Sequence, residues 1–340
     1  MRDLRNGLIL VTGGAGLIGS TLIWELNRRG LKNIVVTDRL GSSEKWKNLT
    51  ALQFEDYLEA ADLEKRLLSG RGLPANVRTV FHLGACSSTT ETNASYLIQN
   101  NYEYTKILAE WALAQNARFL YASSAATYGA LEENLSEERP LHTLRPLNMY
   151  GYSKHRFDCY AEARGLLPRI VGLKYFNIFG PNEDHKDNMR SVVHKAFHQI
   201  AASGVVQLFK SYRPEFADGC QRRDFLYSKD AVKMTVHLAE AESAGGLYNI
   251  GFGKAHTWLE LVDALFAAMG REPRIEFIEM PETLRPKYQY STCAAMKRFE
   301  ESGYTGPLTS LRAAVADYVQ NYLVPRRKLG DEAQSAPSAS

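Results

Sequence analysis

The sequence predicts an α/β protein built on a doubly wound parallel sheet, with a smaller C-terminal lobe. Short apolar segments alternate with helical ones through the first half of the chain, and a glycine-rich turn follows the first apolar segment. The alternation becomes irregular after about residue 180. Alternating strands and helices favour a parallel sheet with right-handed crossovers, which binds ligands at the carboxyl ends of its strands.

The apolar segments are short enough to be buried strands of a parallel sheet. The predicted strands are 7–12, 33–38, 77–83, 117–122, 169–175 and 246–250. Apolar residues at helical spacing lie between and after them. The predicted helices are 20–29, 95–115, 152–164, 187–203 and 258–269.

This pattern divides the chain into three parts. Residues 1–180 are predicted to form a dinucleotide-binding domain of the Rossmann type, to which later segments return. Residues 181–324 are predicted to form mainly a substrate-binding lobe over the open side of the sheet. Residues 325–340 are small and polar at their end, which is typical of a disordered tail.

Composition excludes several classes of partner. The net charge of +3 is too small to indicate a nucleic-acid or membrane partner, and there is no apolar run near the ~18 residues that a membrane span needs. The cysteines (Cys86, Cys159, Cys220, Cys293) and the eight histidines show no metal-ligand spacing, so we predict no metal site and no disulfide framework. We expect a soluble cytoplasmic protein with a small-molecule substrate.

The glycine-rich turn predicts a dinucleotide site. Gly13, Gly16 and Gly19 follow the first strand and open a helix, where backbone N–H groups can approach a pyrophosphate. Asp38 ends the second strand, at the position of a carboxylate that binds ribose hydroxyls. The turn thus follows a strand, opens a helix and precedes an acid at the end of the next strand. Together these three features favour dinucleotide binding over a glycine turn that serves packing alone.

The residues after the second strand bear on the choice of cofactor. Asp38 favours NAD, because a carboxylate repels a 2′-phosphate. Arg39 and Lys45 favour NADP, since either cation could pair with that phosphate, although both could also be ordinary surface charges. We predict NADP, with NAD as the alternative cofactor.

Tyr150 and Lys154 are four residues apart, and residues at this spacing share a face if they lie on one helix. An ammonium beside a phenol favours the phenolate, so Lys154 is predicted to lower the pKa of Tyr150. A phenolate could take a hydroxyl proton while hydride leaves the same carbon for a nicotinamide. Ser124, after the strand 117–122, could hydrogen-bond the developing alkoxide, with Ser123 as an alternative donor and a helix N-cap as the other interpretation.

Together, the glycine turn, Ser124, Tyr150 and Lys154 resemble the extended short-chain dehydrogenase/reductase superfamily over 8–322. Closer similarity to the ADP-L-glycero-D-manno-heptose 6-epimerase family is seen in four sequence segments and in Lys186, which follows the last of them. The segments are 84–91, 121–129, 147–154 and 175–181. That family inverts C6″ of an ADP-linked heptose used in the lipopolysaccharide core. The resemblance implies an isomerase that oxidises this carbon to a 6-keto intermediate on bound NADP and returns hydride to the other face. The resemblance also implies that the chain forms a homo-oligomer, specifically a pentamer.

The resemblance gives Lys186 the role of second acid or base, whereas the residues alone indicate a surface lysine in a polar loop. Further residues that the resemblance places at the cofactor are Leu17, Ile18, Leu83, Gly84, Ala85, Cys86, Ser87, Asn100 and Ile178, together with Lys154 and Lys186. The residues that it places at the substrate are Ser124, Asn177, Asn188, Lys195, Phe209, Lys210, Ser211, Arg223 and Tyr288.

The chain also departs from the family pattern. Lys195 stands where the family has a substrate-binding histidine, with His194 beside it, so the contact could come from either residue. Arg222 is a possible substitute for Arg223 as a diphosphate ligand. The segment 213–219 is an insertion near the expected substrate pocket, where it could alter specificity.

Other functions remain open at this point. The main enzymatic alternative is another nucleotide-sugar epimerase of the UDP-hexose 4-epimerase type. A nucleotide-sugar dehydratase would need an acid pair after the catalytic Ser or Thr, where this chain has Ala125 and Ala126. A different class is a non-catalytic NAD(P)-binding sensor, and the presence of Ser124, Tyr150, Lys154 and Lys186 together argues against it.

Overall fold

The computed structural model describes residues 1–70, 76–285 and 288–331 of the 340-residue chain. Its main sheet has seven strands in the order β10-β6-β5-β4-β1-β2-β3, all paired in parallel, and helices pack against it. This arrangement confirms the predicted doubly wound α/β fold. The strands are β1 Leu8–Thr12, β2 Ile34–Asp38, β3 Asp56–Glu59, β4 Val77–His82, β5 Arg118–Ser124, β6 Ile170–Tyr175 and β10 Gly246–Ile250.

The helices follow the strands as expected for right-handed crossovers. Their bounds are α1 Leu17–Arg28, α2 Ala60–Leu68, α3 Ala94–Leu97, α4 Tyr104–Ala114, α5 Met149–Ala163, α6 Val192–Ser203, α7 Ser228–Glu240, α8 Trp258–Ala268, α9 Lys297–Glu300 and α10 Leu311–Tyr318. A π-helical turn, Ile98–Glu103, joins α3 to α4, and another, Val319–Leu323, follows α10. Short 3₁₀ segments are Glu44–Leu49, Ala125–Tyr128, Leu141–Thr143, Leu167–Arg169 and Asp184–Met189.

A second apolar core lies in the C-terminal half. Helices α6, α8 and α10 bury residues such as Ile200, Leu265 and Val315 together. Small sheets accompany them: β11-β9-β7 and the parallel pair β12-β8, formed by β7 Asn177–Phe179, β8 Val206–Phe209, β9 Arg222–Tyr227, β11 Ala255–Thr257 and β12 Ile275–Ile278. Strand β10 returns to the edge of the main sheet beside β6, and α7 packs on α1.

The predicted helix over 187–203 is wrong in its first turn. Residues 184–189 form a separate 3₁₀ segment that is itself kinked at Asp187 (φ 45°), and the extended backbone at Arg190 and Ser191 separates this segment from α6. Helix α6 then begins at Val192, where the Ser191 hydroxyl accepts the backbone N–H of His194 at 3.2 Å. The break leaves residues 184–191 as an irregular turn beside the main sheet.

The structure also differs from the expected tail. Residues 325–331 pack on the domain, because the Leu329 side chain is fully buried in the second core. The Leu329 N–H donates to Asn182 Oδ1 at 3.1 Å, and the Lys328 ammonium binds Asp184. The rest of the expected tail, 332–340, lies outside the described residues.

Replacing Leu329→Ala should lower the free energy of unfolding by about 2–5 kcal/mol, because it empties a filled site in the second core. Urea unfolding followed by circular dichroism would measure the loss. The matched control is Val324→Ala, whose side chain is 63% exposed and should change stability by less than ~0.5 kcal/mol. Equal effects of the two variants would contradict the packing of this segment.

Candidate active site

A cavity of about 650 Å³ lies at the carboxyl ends of the central strands, where a doubly wound sheet binds its ligands. It brings together most of the residues predicted for the cofactor and for catalysis. The predicted residues that line it are Gly13, Gly16, Leu17, Ile18, Gly19, Asp38, Lys45, Leu83, Gly84, Ala85, Cys86, Ser87, Ser124, Tyr150, Lys154, Asn177, Ile178 and Lys186.

The glycine turn forms one wall of this cavity, and its geometry fits a pyrophosphate. A Cβ on Gly19 would lie 2.1 Å from the Gly13 carbonyl oxygen, and a Cβ on Gly13, whose φ is 68°, would lie 2.6 Å from Gly84 Cα. Helix α1 starts after Gly16 with no side-chain cap, so its first backbone N–H groups face the cavity without a side-chain partner. Such a helix start is suited to a phosphate group.

Asp38 connects the glycine turn to the segment after β2. Its Oδ2 accepts the backbone N–H of Ala15 at 2.9 Å, and its Oδ1 accepts the Lys45 ammonium at 2.6 Å. The carboxylate charge is therefore balanced by Lys45 at the edge of the cavity. Arg39 does not line the cavity; its half-exposed guanidinium lies 4.0 Å from Glu64.

The loop after β4 is held by a residue that sequence reasoning missed. Asn101, buried in the π-helical turn, accepts the backbone N–H of Cys86 and donates to its carbonyl, both at 2.9 Å. It also donates to Ser153 on α5 at 3.0 Å. The predicted Asn100 lies outside the cavity lining and donates to Asn101. A π-turn at a functional site is common, but only the fold shows which asparagine points inward.

Ser124 and Tyr150 meet at the end of β5. The Ser124 hydroxyl accepts the Ala126 N–H at 3.1 Å, so it does cap a 3₁₀ turn, and it also hydrogen-bonds the Tyr150 phenol. Ser124 is therefore both an N-cap and a neighbour of the Tyr150 phenol. The Ser123 hydroxyl instead donates to Asp158 at 2.8 Å and is already engaged away from the phenol.

The pKa of Tyr150 moves in the direction opposite to the prediction. Burial raises it, and the hydrogen bond from Ser124 offsets only part of that rise. Lys154 does not provide the predicted lowering, because its ammonium donates to the Ala122 carbonyl at 2.7 Å. Burial in turn lowers the pKa of Lys154 to about 8. The phenol is thus an acid at neutral pH, with the lysine beneath it.

Lys186 lies in the 3₁₀ segment Asp184–Met189 and lines the same cavity, so it is not an ordinary surface lysine. Burial lowers its pKa; the Glu183 carboxylate opposes this shift and the Lys195 cation adds to it. A lysine with a lowered pKa can accept a proton at neutral pH. The cavity therefore contains a phenol and an amine whose pKa values burial shifts in opposite directions.

The turn that carries Lys186 is held by buried polar groups that the sequence did not reveal. The fully buried Glu183 accepts both the N–H and the hydroxyl of Ser191 at 2.6 Å, and it accepts the Tyr318 hydroxyl at 3.0 Å. Asn48 donates to the Ala15 carbonyl at 2.9 Å and to the Asn182 carbonyl at 3.0 Å. The glycine turn and the Lys186 turn are therefore joined through one amide.

Several residues predicted for the substrate do not line the cavity: Asn188, Lys195, Phe209, Lys210, Ser211, Arg223 and Tyr288. The Lys210 ammonium pairs instead with Glu279 at 2.7 Å on the surface. Arg223 lies 5.6 Å from the Trp258 ring and 5.1 Å from the Tyr288 ring. Because Trp258 lines the cavity, Arg223 and Tyr288 stand one side chain behind its wall.

Neither His194 nor Lys195 reaches the cavity lining. His194 Nε2 pairs with Asp184 at 2.9 Å, and the Lys195 ammonium donates to the Asn188 carbonyl at 3.1 Å. Both side chains therefore brace the Lys186 turn from outside.

The insertion 213–219 is anchored by specific contacts. Arg213 pairs with Glu132 at 2.8 Å and lies 4.4 Å from the Tyr290 ring, while Asp218 accepts the Ser211 N–H at 2.6 Å. The inserted segment is thus folded back against the loop that follows β5.

Cations outnumber anions in the cavity lining. Lys45, Lys154, Lys186 and Arg190 face it, against the single carboxylate of Asp38 among the described lining residues. Sequence reasoning missed Arg190, because its position depends on the break before α6. His185 also lines the cavity, and burial lowers its pKa to about 4, which leaves the ring neutral. This charge balance suits phosphate-bearing ligands.

Two absences hold for the described ranges 1–70, 76–285 and 288–331. Within them, no three His, Cys, Asp or Glu side chains are grouped so as to hold a metal ion. Over the same ranges, no helix has both the length and the apolar character to cross a membrane.

Comparison with known proteins agrees with this site. Residues 9–251 match the model of the NAD dependent epimerase/dehydratase family. A Nitratidesulfovibrio vulgaris protein named ADP-L-glycero-D-manno-heptose-6-epimerase is 48% identical over 93% of this chain and 98% of the relative, and a Fusobacterium nucleatum protein of the same name is 42% identical over 93% and 98%. The crystal structure of the Helicobacter pylori enzyme of that name superposes with a TM-score of 0.77 at 28% identity, covering 94% of this chain and 98% of that one. These matches confirm the resemblance seen in the sequence: the chain belongs to the NAD dependent epimerase/dehydratase family.

Proposed function

We propose that this protein converts ADP-D-glycero-D-manno-heptose to ADP-L-glycero-D-manno-heptose by inverting C6″, a step in making lipopolysaccharide core precursors. The observation that carries the proposal is that Ser124, Tyr150, Lys154 and Lys186 line one cavity with the glycine turn. The names of relatives that are 42–48% identical over nearly their whole length support the choice of substrate.

The chemistry requires a removable hydride. A nicotinamide dinucleotide, when bound, supplies the hydride acceptor and later the donor. The glycine turn and the start of α1 would hold its pyrophosphate, and Lys154 would hold the nicotinamide ribose. Ser124, already hydrogen-bonded to Tyr150, is placed to stabilise the oxygen that becomes the 6-keto group.

Inversion needs a proton carrier for each orientation of the sugar. For one epimer Lys186 accepts the C6″ hydroxyl proton, and the Tyr150 phenol gives its proton to the turned ketone. This leaves an ammonium and a phenolate, the pair from which the reverse reaction starts, and proton exchange with solvent restores the neutral pair. Burial supports this division, because it favours the protonated form of Tyr150 and the neutral form of Lys186. The Arg190 guanidinium is the cation in the lining best suited to the sugar diphosphate.

Tyr150→Phe and Lys186→Met should each reduce epimerisation by ~10²–10⁴-fold, because each removes one of the two proton carriers. Incubation of purified protein with either ADP-heptose epimer, followed by chromatography of the C6″ epimers, measures the loss. Each variant should still oxidise the epimer that the remaining group serves, seen as a single-turnover rise in reduced-cofactor absorbance.

The matched controls are Tyr152→Phe, an exposed tyrosine two residues further on, and Lys297→Met, an exposed lysine on α9. Both should keep wild-type turnover. Full turnover by Tyr150→Phe or Lys186→Met would rule out the two-carrier scheme, and turnover of a UDP-hexose in place of ADP-heptose would overturn the proposed substrate.

We infer further that NADP is the preferred cofactor. Lys45 balances the Asp38 carboxylate at 2.6 Å, which weakens the repulsion of a 2′-phosphate. The neighbouring Arg39 side chain is half-exposed and engaged only at 4.0 Å with Glu64, so it can turn toward such a phosphate at little cost.

Arg39→Ala should raise the Kd for NADP by ~10-fold or more and leave the Kd for NAD nearly unchanged, because one charge-assisted contact is lost. Calorimetric titration of both cofactors measures the ratio. Lys47→Ala, an exposed lysine paired with Glu44, serves as the control for loss of surface charge. An unchanged ratio in Arg39→Ala would remove this residue from cofactor selection.

The homo-oligomer, as a pentamer, remains a prediction from the resemblance, and the cytoplasmic location remains a prediction from the composition. Light scattering on the purified protein tests the assembly.

A further inference from the structure

Beneath the site lies a completely buried ion pair that the mechanism does not use. Asp158 on α5 and Lys174 on β6 are both fully buried, and Lys174 Nζ lies 2.7 Å from Asp158 Oδ2. Removing two charges from water costs several kcal/mol per ion, and an apolar pair of similar volume is often at least as stable. Stability alone is therefore a weak reason for this pair.

The pair's hydrogen bonds lead to the backbone on both sides of Ser124. Asp158 Oδ2 accepts the Ser123 hydroxyl at 2.8 Å, and Oδ1 accepts the Tyr121 hydroxyl at 2.8 Å. Lys174 Nζ donates to Thr127 Oγ1 at 2.7 Å, and the Thr127 hydroxyl donates to the Ser124 carbonyl at 2.8 Å. The end of β5 and the 3₁₀ turn after it are thus clamped where Ser124 meets Tyr150.

The same carboxylate acts on Lys154. Tyr150, Lys154 and Asp158 are successive i, i+4 positions of α5, so they share one face of the helix. The Lys154 ammonium has the Ala122 carbonyl as its hydrogen-bond acceptor. Its titratable neighbours from other elements are His82 at the end of β4 and Cys86 in the loop after it.

Among these groups, Asp158 favours the protonated form of Lys154 most strongly. Burial lowers the pKa of Lys154 to about 8, and the Asp158 carboxylate opposes that fall, with a smaller contribution from Cys86. His82 contributes no positive charge, because burial lowers its pKa to about 3.

We propose that Asp158 and Lys174 are positioning residues for the reaction proposed above: the pair fixes Ser124 against Tyr150, and Asp158 keeps Lys154 cationic. Lys154 contributes while it is protonated, so its contribution is lost as pH rises through about 8. Without the Asp158 carboxylate, Lys154 loses its proton, and with it its contribution, at lower pH.

The test removes both charges together with Asp158→Asn/Lys174→Met, since Asp158→Asn alone leaves a buried lysine unpaired and prone to unfold the protein. The neutral double variant should fold and should lower kcat by ~10-fold or more with little change in KM. The alkaline limb of its kcat profile should move to lower pH by less than ~1 unit, because losing the Asp158 carboxylate lowers the pKa of Lys154 while losing the Lys174 cation offsets part of that effect. Asp158→Asn/Lys174→Gln is a second neutral pair if the first folds poorly.

The matched control is Asp230→Asn. Asp230 is also fully buried and accepts the Thr309 N–H at 2.6 Å, but it lies on α7 away from the cavity lining. This variant should lose stability and keep the wild-type alkaline limb. Wild-type kcat and an unmoved limb in a folded double variant would overturn the inference.

A second measurement separates this inference from the proposed function. The Kd of NADP, measured by calorimetry from pH 6 to 9, should rise as Lys154 loses its proton. The pH at the midpoint of this rise should be lower in the neutral double variant. This curve requires no sugar. A wild-type protein that binds NADP but does not convert ADP-heptose would refute the substrate, while the binding midpoint would still decide the role of Asp158.

Discussion

The close approach of three glycines is the constraint on which the rest of the site depends. Gly13, Gly19 and Gly84 bring the end of β1, the start of α1 and the loop after β4 nearer than any side chain permits. That closeness turns the first N–H groups of α1 toward the cavity. It also sets where Asp38 meets Ala15, and through Asn48 it sets the position of the turn that carries Lys186. The glycine turn and the turn that carries Lys186 are therefore connected through the Asn48 side chain.

Burial does the chemical tuning in this framework. The same desolvation raises the pKa of Tyr150 and lowers that of Lys186, because the phenol is neutral when protonated and the amine is neutral when deprotonated. Lys154, which was expected to act on the phenol, is better described as a cation held by the Ala122 carbonyl beneath it.

The sequence was sufficient for six of the seven strands of the main sheet, because those strands are continuous apolar runs. It missed the edge strand β3, whose residues are largely polar and partly exposed. Most residues predicted around the glycine turn line the cavity, since they follow directly on strand ends. The sequence was insufficient for Arg190 and for the break before α6, where the kink at Asp187 and the extended backbone at Arg190 and Ser191 set the path of the chain. It was insufficient as well for Asn48, Asn101 and Glu183, whose importance comes from partners distant in sequence. Several residues predicted for the substrate do not line the cavity, and one of them, Lys210, pairs instead with Glu279 on the surface.

The contacts of residues 325–331 have a consequence for biosynthesis. Lys328 and Leu329 bind Asp184 and Asn182, which flank the turn bearing Lys186, yet they are translated about 140 residues later. The glycine turn and strands β1, β2 and β4 lie within residues 1–84, so a ribosome-bound chain can form them early. The contacts of Lys328 and Leu329 can form only after residue 329 has been translated. A chain cut before Lys328 would therefore keep the glycine turn but lose two contacts that hold the turn bearing Lys186.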